Sequence, residues 1–280
     1  MQANKIASAI KSFPGFPGTA VKLLALIDDS GMRVSQIEEI LRQDPGLTAN
    51  VLRLANSAYF GIPSKVGSIR QAVILLGLKR LIQMVIAACV SAIMDKSVPG
   101  YDLPPGELWR HSIAASVAAE GLVKVLKVEA AEEIFTAALL HDVGKLVLGD
   151  FVKDEFKQIE TAVSQGISFE MAEKIVLGTN HADVGARILT KWLLPPEIVN
   201  AVQFHHAPEA SEQISSMLDI VHVANFISMM IGIGIGRDGL QHEPSAEVTE
   251  RLGLEPGHLE KVASQTMQWV KEFNEVLNAG

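Results

Sequence analysis

Apolar residues recur at three- and four-residue intervals along nearly the whole chain, the period that gathers them on one side of an α-helix. Phe13-Pro-Gly-Phe-Pro-Gly reads as a rigid turn segment that launches a helix from Thr19, with Val21, Leu23, Leu24 and Ile27 on its buried side. Ser35-Gln-Ile-Glu38 has the form of a capping box, in which the serine accepts an orphan N–H and the glutamate reaches back. Ile37, Ile40 and Leu41 follow at helical spacing, Asp44-Pro45-Gly46 breaks the pattern, and Leu47, Val51, Leu54 and Ala55 resume it. A long helix runs from Glu107 through Trp109, His111, Ala115, Val117 and Leu122, and another from Phe135 ends in His141-Asp142. Residues 153–177 read as two helices parted by Gln165-Gly166-Ile167, with Ser168 as an N-cap. Thr179 or Asn180 caps the next helix, which carries His181 in its first turn. Pro196 suits the first position of a helix that passes Ile198, Val199 and Val202 and ends in Phe204-His205-His206. Asp219 to Ile231 is strongly apolar and carries His222 and Asn225. Gly232, Gly234 and Gly236 then alternate with isoleucines as a flexible exit, and residues 244–252 and 255–277 form two further helices. No alternation of period two is long enough for a sheet, so the predicted fold class is all-α.

Prolines and glycines at Pro99-Gly100 and Pro104-Pro105-Gly106 mark the best hinge. They divide the chain into an N-terminal helical lobe over 1–103, a second lobe over 104–231 and a helical extension over 232–280. A length of 280 residues allows two such lobes around a sizeable core, and 48% hydrophobic with 20% charged residues is globular composition. The most apolar stretch, Ala72 to Met94, is interrupted by Lys79 and Arg80; its clean remainder of 14 residues falls short of the ~20 that span a bilayer, so it reads as a buried helix. One cysteine, Cys89, excludes an intrachain disulfide framework, and with no apolar leader at Met1 the expected location is cytoplasmic. The net charge of −8 is uneven: +4 over residues 1–105 and −12 over the rest. Two short helices about a tight turn, with Asn50, Arg53 and Asn56 as readers, have the outline of a helix-turn-helix. The small positive excess does not supply the clustered cations that phosphate neutralisation needs, so neither a nucleic acid nor a membrane is expected as a partner.

Phe135-Thr-Ala-Ala-Leu-Leu-His141-Asp142-Val-Gly-Lys145 is where chemistry enters. Two adjacent ionisable side chains at the end of an apolar run need something to offset their desolvation. A bound divalent metal does this for both, since imidazole and carboxylate are each good ligands. Gly144 allows close backbone approach just beyond them.

Four collinear runs carry a resemblance: Phe13-Pro14 with Phe16-Pro17; Gln43-Asp44-Pro45-Gly46-Leu47-Thr48; Leu52 to Gly61 (Leu-Arg-Leu-Ala-Asn-Ser-Ala-Tyr-Phe-Gly); and Ser68 to Gly77 (Ser-Ile-Arg-Gln-Ala-Val-Ile-Leu-Leu-Gly). Together they resemble the HDOD family over roughly residues 10–230, a family of all-α bundles related to the HD phosphohydrolases and tied to bacterial signalling. The resemblance implies a metal set of His111, His141, Asp142, His181, His205 and His206, drawn from separate helices, holding one or two divalent ions of Fe, Mn, Zn or Ni. Asp142 would bridge two ions through its two oxygens, at the ~3.5–4 Å spacing of two-metal phosphoester hydrolysis. Lys145 would contact a phosphate, making Asp142 and Lys145 the catalytic pair, and Glu107, four residues before His111, resembles an extra carboxylate ligand of the cyclic di-GMP branch. Two departures stand against catalysis. Asn225 takes the place of the carboxylate that closes such sites, Asp219 being too close after His206 for an easy substitution, and no Gly-Tyr-Pro run follows His205-His206. The implied role is a regulatory module acting through protein partners and a phosphorylated small-molecule ligand, with a metal-dependent nucleotide phosphohydrolase as the alternative. A DNA-binding regulator is a third reading. His222 reads as packing or hydrogen bonding, and His242 and His258 carry no assigned role.

Overall fold

The computed structural model describes residues 2–27, 33–56, 65–129, 133–239 and 244–278, and every regular element among them is helical. Ser57 to Gly61, His242 and the side chains of Leu24 and Ile27 lie outside the described residues. From the N-terminus the helices are α1 Gln2–Ser12, α2 Gly18–Ile27, α3 Val34–Arg42, α4 Pro45–Ala55, α5 Ile69–Leu76 and α6 Leu78–Met94. After a 3-10 turn at Pro99–Tyr101 follow α7 Glu107–Leu126, α8 Ile134–Leu140, α9 Lys145–Asp154, α10 Phe156–Ser164 and α11 Phe169–Leu177. The chain continues with α12 His181–Lys191, α13 Pro196–Phe204, α14 Ser216–Met230, α15 Ala246–Leu252 and α16 Pro256–Asn278. No described helix is long and apolar enough to cross a membrane.

The helices fall into two compact units, residues 15–93 with 268–280, and residues 1–14 with 94–267. In the first, α3 packs on α2, α4 and α5. Its start corrects the expected capping box: the helix begins at Val34, so Ser35 is already inside it, and the reach-back comes from Gln36, which accepts the Arg33 N–H at 2.8 Å. Asp44 does more than interrupt the chain, because its carboxylate accepts the Leu47 N–H at 2.9 Å and Pro45 occupies the first turn of α4. Asn56 clamps a loop: its amide donates to Leu52 O and Val66 O and its oxygen accepts the Val66 N–H at 2.7 Å. Ala20 and Leu23 form the buried side of α2, whereas Val21, expected there, is exposed. In α6, residues 81–90 are all buried, Gln83 included, as their predominantly apolar run predicts.

The second unit is built on α7, which packs against α8 and α14. Alanines at 114, 115, 118 and 119 leave room for close helix approach, and α8 is buried over its whole length. A helix without a polar stripe belongs in a core; burying a Leu or Ile side chain contributes ~1.5–3 kcal/mol. Around this centre α13 contacts α8, α12 and α14, and α9 contacts α12 and the Pro99–Tyr101 turn. The residues read as a hinge lie inside this unit, with Gly100 against α9 so closely that a Cβ would fall 2.8 Å from the Lys153 nitrogen. Ser168 sits at the N-cap of α11 without bonding a helix N–H, its hydroxyl donating to Glu170 instead. Asn180 does cap α12, accepting the Asp183 N–H at 2.8 Å.

The Gly232–Gly236 segment corrects the expectation of a flexible exit. It is a strap packed across the start of α7: a Cβ on Gly234, whose φ is +58°, would stand 2.6 Å from both Glu107 O and His111 Cβ. Arg237 N–H donates to Tyr101 O at 3.0 Å. Gly234 and Gly236 serve close approach, whereas Gly232 has open space about it and serves its φ of +81°.

Candidate metal centre

Helix ends make the site. α8 ends just before His141 and Asp142, α12 begins at His181, α13 ends just before His205 and His206, and α7 brings His111 one turn in from its start. Gly144 lets the turn after Asp142 lie on the start of α12; a Cβ there would stand 2.6 Å from Gly185 N and closer still to His181 O. All the expected ligands thereby meet, in two groups that share Asp142: His111 with His141, and His181 with His205 and His206.

Hydrogen bonds at the far side of each ring decide what the near side offers. The Nδ1 of His111 lies 3.0 Å from Ile233 O, that of His141 2.7 Å from Ala138 O, and that of His205 2.7 Å from Val202 O. The Nδ1 of His181 lies 2.9 Å from a Glu173 carboxylate oxygen. Each of these oxygens only accepts, so each Nδ1 carries the proton, and a neutral ring then presents a bare Nε2 lone pair. The Nε2 atoms turn inward. His111 Nε2 is 3.3 Å from His141 Nε2, and His181 Nε2 is 2.8 Å from His206 Nε2. Asp142 Oδ2 lies 3.5 Å from His111 Nε2 and 3.3 Å from His141 Nε2, while Oδ1 lies 3.5 Å from His181 Nε2 and 3.8 Å from His205 Nε2. Asp142 Oδ1 and His205 Nε2 are buried with no hydrogen-bond partner among the described residues. Such an orphaned buried group costs ~1–3 kcal/mol, more when charged. Imidazole nitrogens gathered about one carboxylate, with Asp142 Oδ1 and His205 Nε2 offered no donor, fit a cation, so the residues present fit the metal that their chemistry implies.

The electrostatics agree. Burial, reinforced by His141 and Lys145, pushes the His111 imidazole down to about 4 against the pull of Asp142, and burial with His141 drives His205 well below its ordinary value. Both rings are neutral, the form that binds metal. His181 goes the other way: burial lowers it, but the Glu173 carboxylate outweighs burial and raises it. Burial would raise Asp142, yet His141 and Lys145 together hold it well below the carboxylate range.

Several residues at the site carried no sequence signal that was read. Glu173 is fully buried and its carboxylate accepts both the N–H and the Nδ1–H of His181, each at 2.9 Å, while Tyr101 donates its hydroxyl to the other oxygen at 2.5 Å. The signal was available: Glu173 stands four residues after Phe169, on the core-facing stripe of α11. Asp238, on the strap, lies 2.5 Å from Lys145 Nζ, which also donates to Asp142 Oδ2 at 2.6 Å. Lys145 is therefore buried between two carboxylates, which outweigh burial and raise it above its ordinary value. Asn225 does reach the site, 3.0 Å from His111 Nε2. Asp219 does not; its two oxygens take a forked pair from Arg251 at 2.8 and 2.7 Å. Glu107 pairs with Arg110 at 2.5 Å and is in neither group. His222 is a connector, donating from Nδ1 to His205 O at 2.6 Å and accepting the Ser245 N–H at 3.0 Å.

Comparison with known proteins adds the following. The model of the HDOD domain matches residues 13–208. An uncharacterised protein of Treponema pallidum is 26% identical over 226 residues, which cover 80% of this chain and 43% of that protein, so the chain spans less than half of this relative. Among solved structures, an HDOD domain protein of unknown function from Geobacter sulfurreducens superposes with a TM-score of 0.78 at 24% identity, covering 98% of this chain and 97% of its own. A candidate phosphohydrolase from Shewanella amazonensis gives 0.73 at 28% identity, covering 96% and 98%.

Proposed function

The chain belongs to the HDOD family, and from that premise we propose that it is a signalling or regulatory module whose larger unit holds one or two divalent transition-metal ions. The observation that carries this reading is the inward convergence of bare Nε2 atoms on the two oxygens of Asp142, with Asp142 Oδ1 and His205 Nε2 left unpartnered. His181, His205, His206 and Asp142 Oδ1 would hold one ion, and His111, His141 and Asp142 Oδ2 the other. Bound there, such an ion supplies a Lewis acid able to polarise a phosphoryl oxygen. The chain's own residues do the rest. The carbonyls of Ala138, Val202 and Ile233 and the Glu173 carboxylate fix each ring and its tautomer, as outer partners of ligands do. Regulation is favoured over turnover because Asn225 adds no charge and Lys145 is engaged by Asp238. We place its action in the cytoplasm and through protein partners.

A metal-dependent phosphohydrolase is the second reading, favoured by the division of Asp142 between two ligand groups and by the likeness to the Shewanella amazonensis protein. Metal analysis of the purified chain tests the site: at least one Fe, Mn, Zn or Ni per chain is expected, and a metal-free protein that takes up none on addition overturns both readings. Turnover of a generic phosphodiester above that of Asp142→Ala decides for the hydrolase, and its absence in the loaded protein for the regulator.

A further inference from the structure

Lys145 is a buried ammonium whose partners come from two different kinds of element. Asp142 is fixed at the end of α8, whereas Asp238 arrives on the strap that follows α14. The strap packs closely through Gly234 and Gly236, and its polar ties are these: Ile233 O accepts from His111, Arg237 N–H donates to Tyr101 O, the Arg237 guanidinium lies 4.0 Å over the Phe156 ring with its Nε 3.6 Å from Asp102, and Asp238 pairs with Lys145. Two of these ties end on the metal-site groups themselves, His111 and Lys145. With both carboxylates ionised, Asp142, Lys145 and Asp238 sum to one excess negative charge in a buried space, so the second carboxylate is the one an incoming anion would exchange with.

We propose that Asp238 is an internal, displaceable anion that occupies on Lys145 the place of a ligand's phosphate, so that an oxyanion ligand binds by lifting the 231–239 strap from the site. Asp238 is thereby a specificity-determining residue, and the strap the moving part by which ligand binding is read out. Lifting it removes the acceptor of His111 Nδ1 and the Tyr101 contact together. The inference rests on the proposed ligand-coupled role of the site, but the Lys145–Asp238 exchange does not require the metal.

Inorganic phosphate is the probe, with binding measured by equilibrium dialysis on the full chain and metal content measured on every preparation. Asp238→Asn keeps the side-chain shape and removes the competing charge. Relief of this like-charge juxtaposition is expected to tighten phosphate binding about tenfold or more. The gain must vanish in the Lys145→Gln, Asp238→Asn double variant, and Asp238→Glu must bind as the wild type does. In the wild type, phosphate is expected to speed hydrogen exchange at the Arg237 amide. Phosphate binding that is equal in Asp238→Asn and wild type at equal melting temperature overturns the proposal, as does a gain that survives loss of Lys145. Should Asp238→Asn fail to fold, unchanged exchange at Arg237 in phosphate-bound wild type overturns it alone. A wild-type chain without metal counts against the metal site only, because the Lys145-dependent gain is read independently.

Discussion

The two sides of Asp142 are built differently. On the Oδ1 side, His181 is backed by the carboxylate of Glu173 and that in turn by Tyr101, and Asp142 Oδ1 and His205 Nε2 have no other use. On the Oδ2 side, the same carboxylate oxygen already receives Lys145, the backing acceptors of His111 and His141 are neutral carbonyls, and the additional group is the amide of Asn225. A cation on the first side would meet Asp142 Oδ1 with a second carboxylate behind His181 and no ammonium on that oxygen, while one on the second would share its oxygen with a lysine. The difference teaches that, under the proposed metal binding, one buried carboxylate would serve a strong site and a weak one at once, depending on what stands behind the imidazoles. Occupancy is expected to follow that order.

Removing the shared ligand breaks the comparison most completely. Asp142→Ala is expected to abolish metal binding on both sides, read by metal content after dialysis. Single ligand losses then tell the sides apart. His141→Ala retains one tightly held ion in competition with a chelator, and His205→Ala retains only weakly held metal; the reverse order would refute the ranking of the two sides.

Glu173→Gln sharpens the comparison with a smaller effect. Loss of a carboxylate behind a ligating histidine costs ~10–100-fold in metal affinity. That loss is expected on the Oδ1 side only, with the weaker ion unaffected. Tyr101→Phe, which removes the hydroxyl from Glu173 and leaves the carboxylate, should fall between wild type and Glu173→Gln in the same chelator competition.

Much of this site was legible from the chain. Stripes of period three to four marked the helices that carry His111 and His181 and the one that ends at His205, and the adjacency of His141 and Asp142 at the end of an apolar run could hardly be anything but interior. What sits behind the ligands was half legible, for a physical reason. Glu173 stands on the core-facing stripe of α11, which marks it as buried, but local spacing does not show which neighbour it meets there. The strap was misread for a related reason. Alternating glycines give conformational freedom and also permit close approach, and only the tertiary neighbour, here His111 Cβ against Gly234, shows which applies. The N-cap at Asn180 was readable because a cap is a contact within four residues. The capping box at Ser35 failed because Arg33-Val34 starts the helix two residues earlier than the motif suggests.

Acid should expose the comparison in the metal-free protein. His111 is held at about 4 when folded, against an ordinary 6.5, so it is neutral in the fold. Between those values the unfolded chain binds the proton and the folded chain does not. Stability is then full above pH 6.5, falls as the pH drops toward 4 and levels off below, a loss of ~3 kcal/mol. His205, also lowered, adds to the same slope. His181 is raised, so its contribution is complete below its ordinary value and is lost as pH rises through its folded one. Urea midpoints measured across this range should therefore fall toward acid, and His111→Leu should flatten the fall. A slope unchanged by that substitution would show that the Oδ2 side does not titrate as its burial requires.

The smallest effect compares caps. Asn180 and Asp44 each accept a helix N–H, at 2.8 and 2.9 Å, in different units of the chain. Replacing either with alanine is expected to cost ~1 kcal/mol of stability, seen as a small drop in melting temperature. Asn180 directly precedes a ligand, so its loss tests whether the cap or the carboxylate holds His181 in place. Glu173 accepts the His181 N–H on its own account, at 2.9 Å. Asn180→Ala is therefore expected to leave metal affinity where Asp44→Ala leaves it, at the wild-type value. A loss in Asn180→Ala as large as that in Glu173→Gln would move the strength of the Oδ1 side from the buried acid to the helix start, and with it the reason the two sides differ.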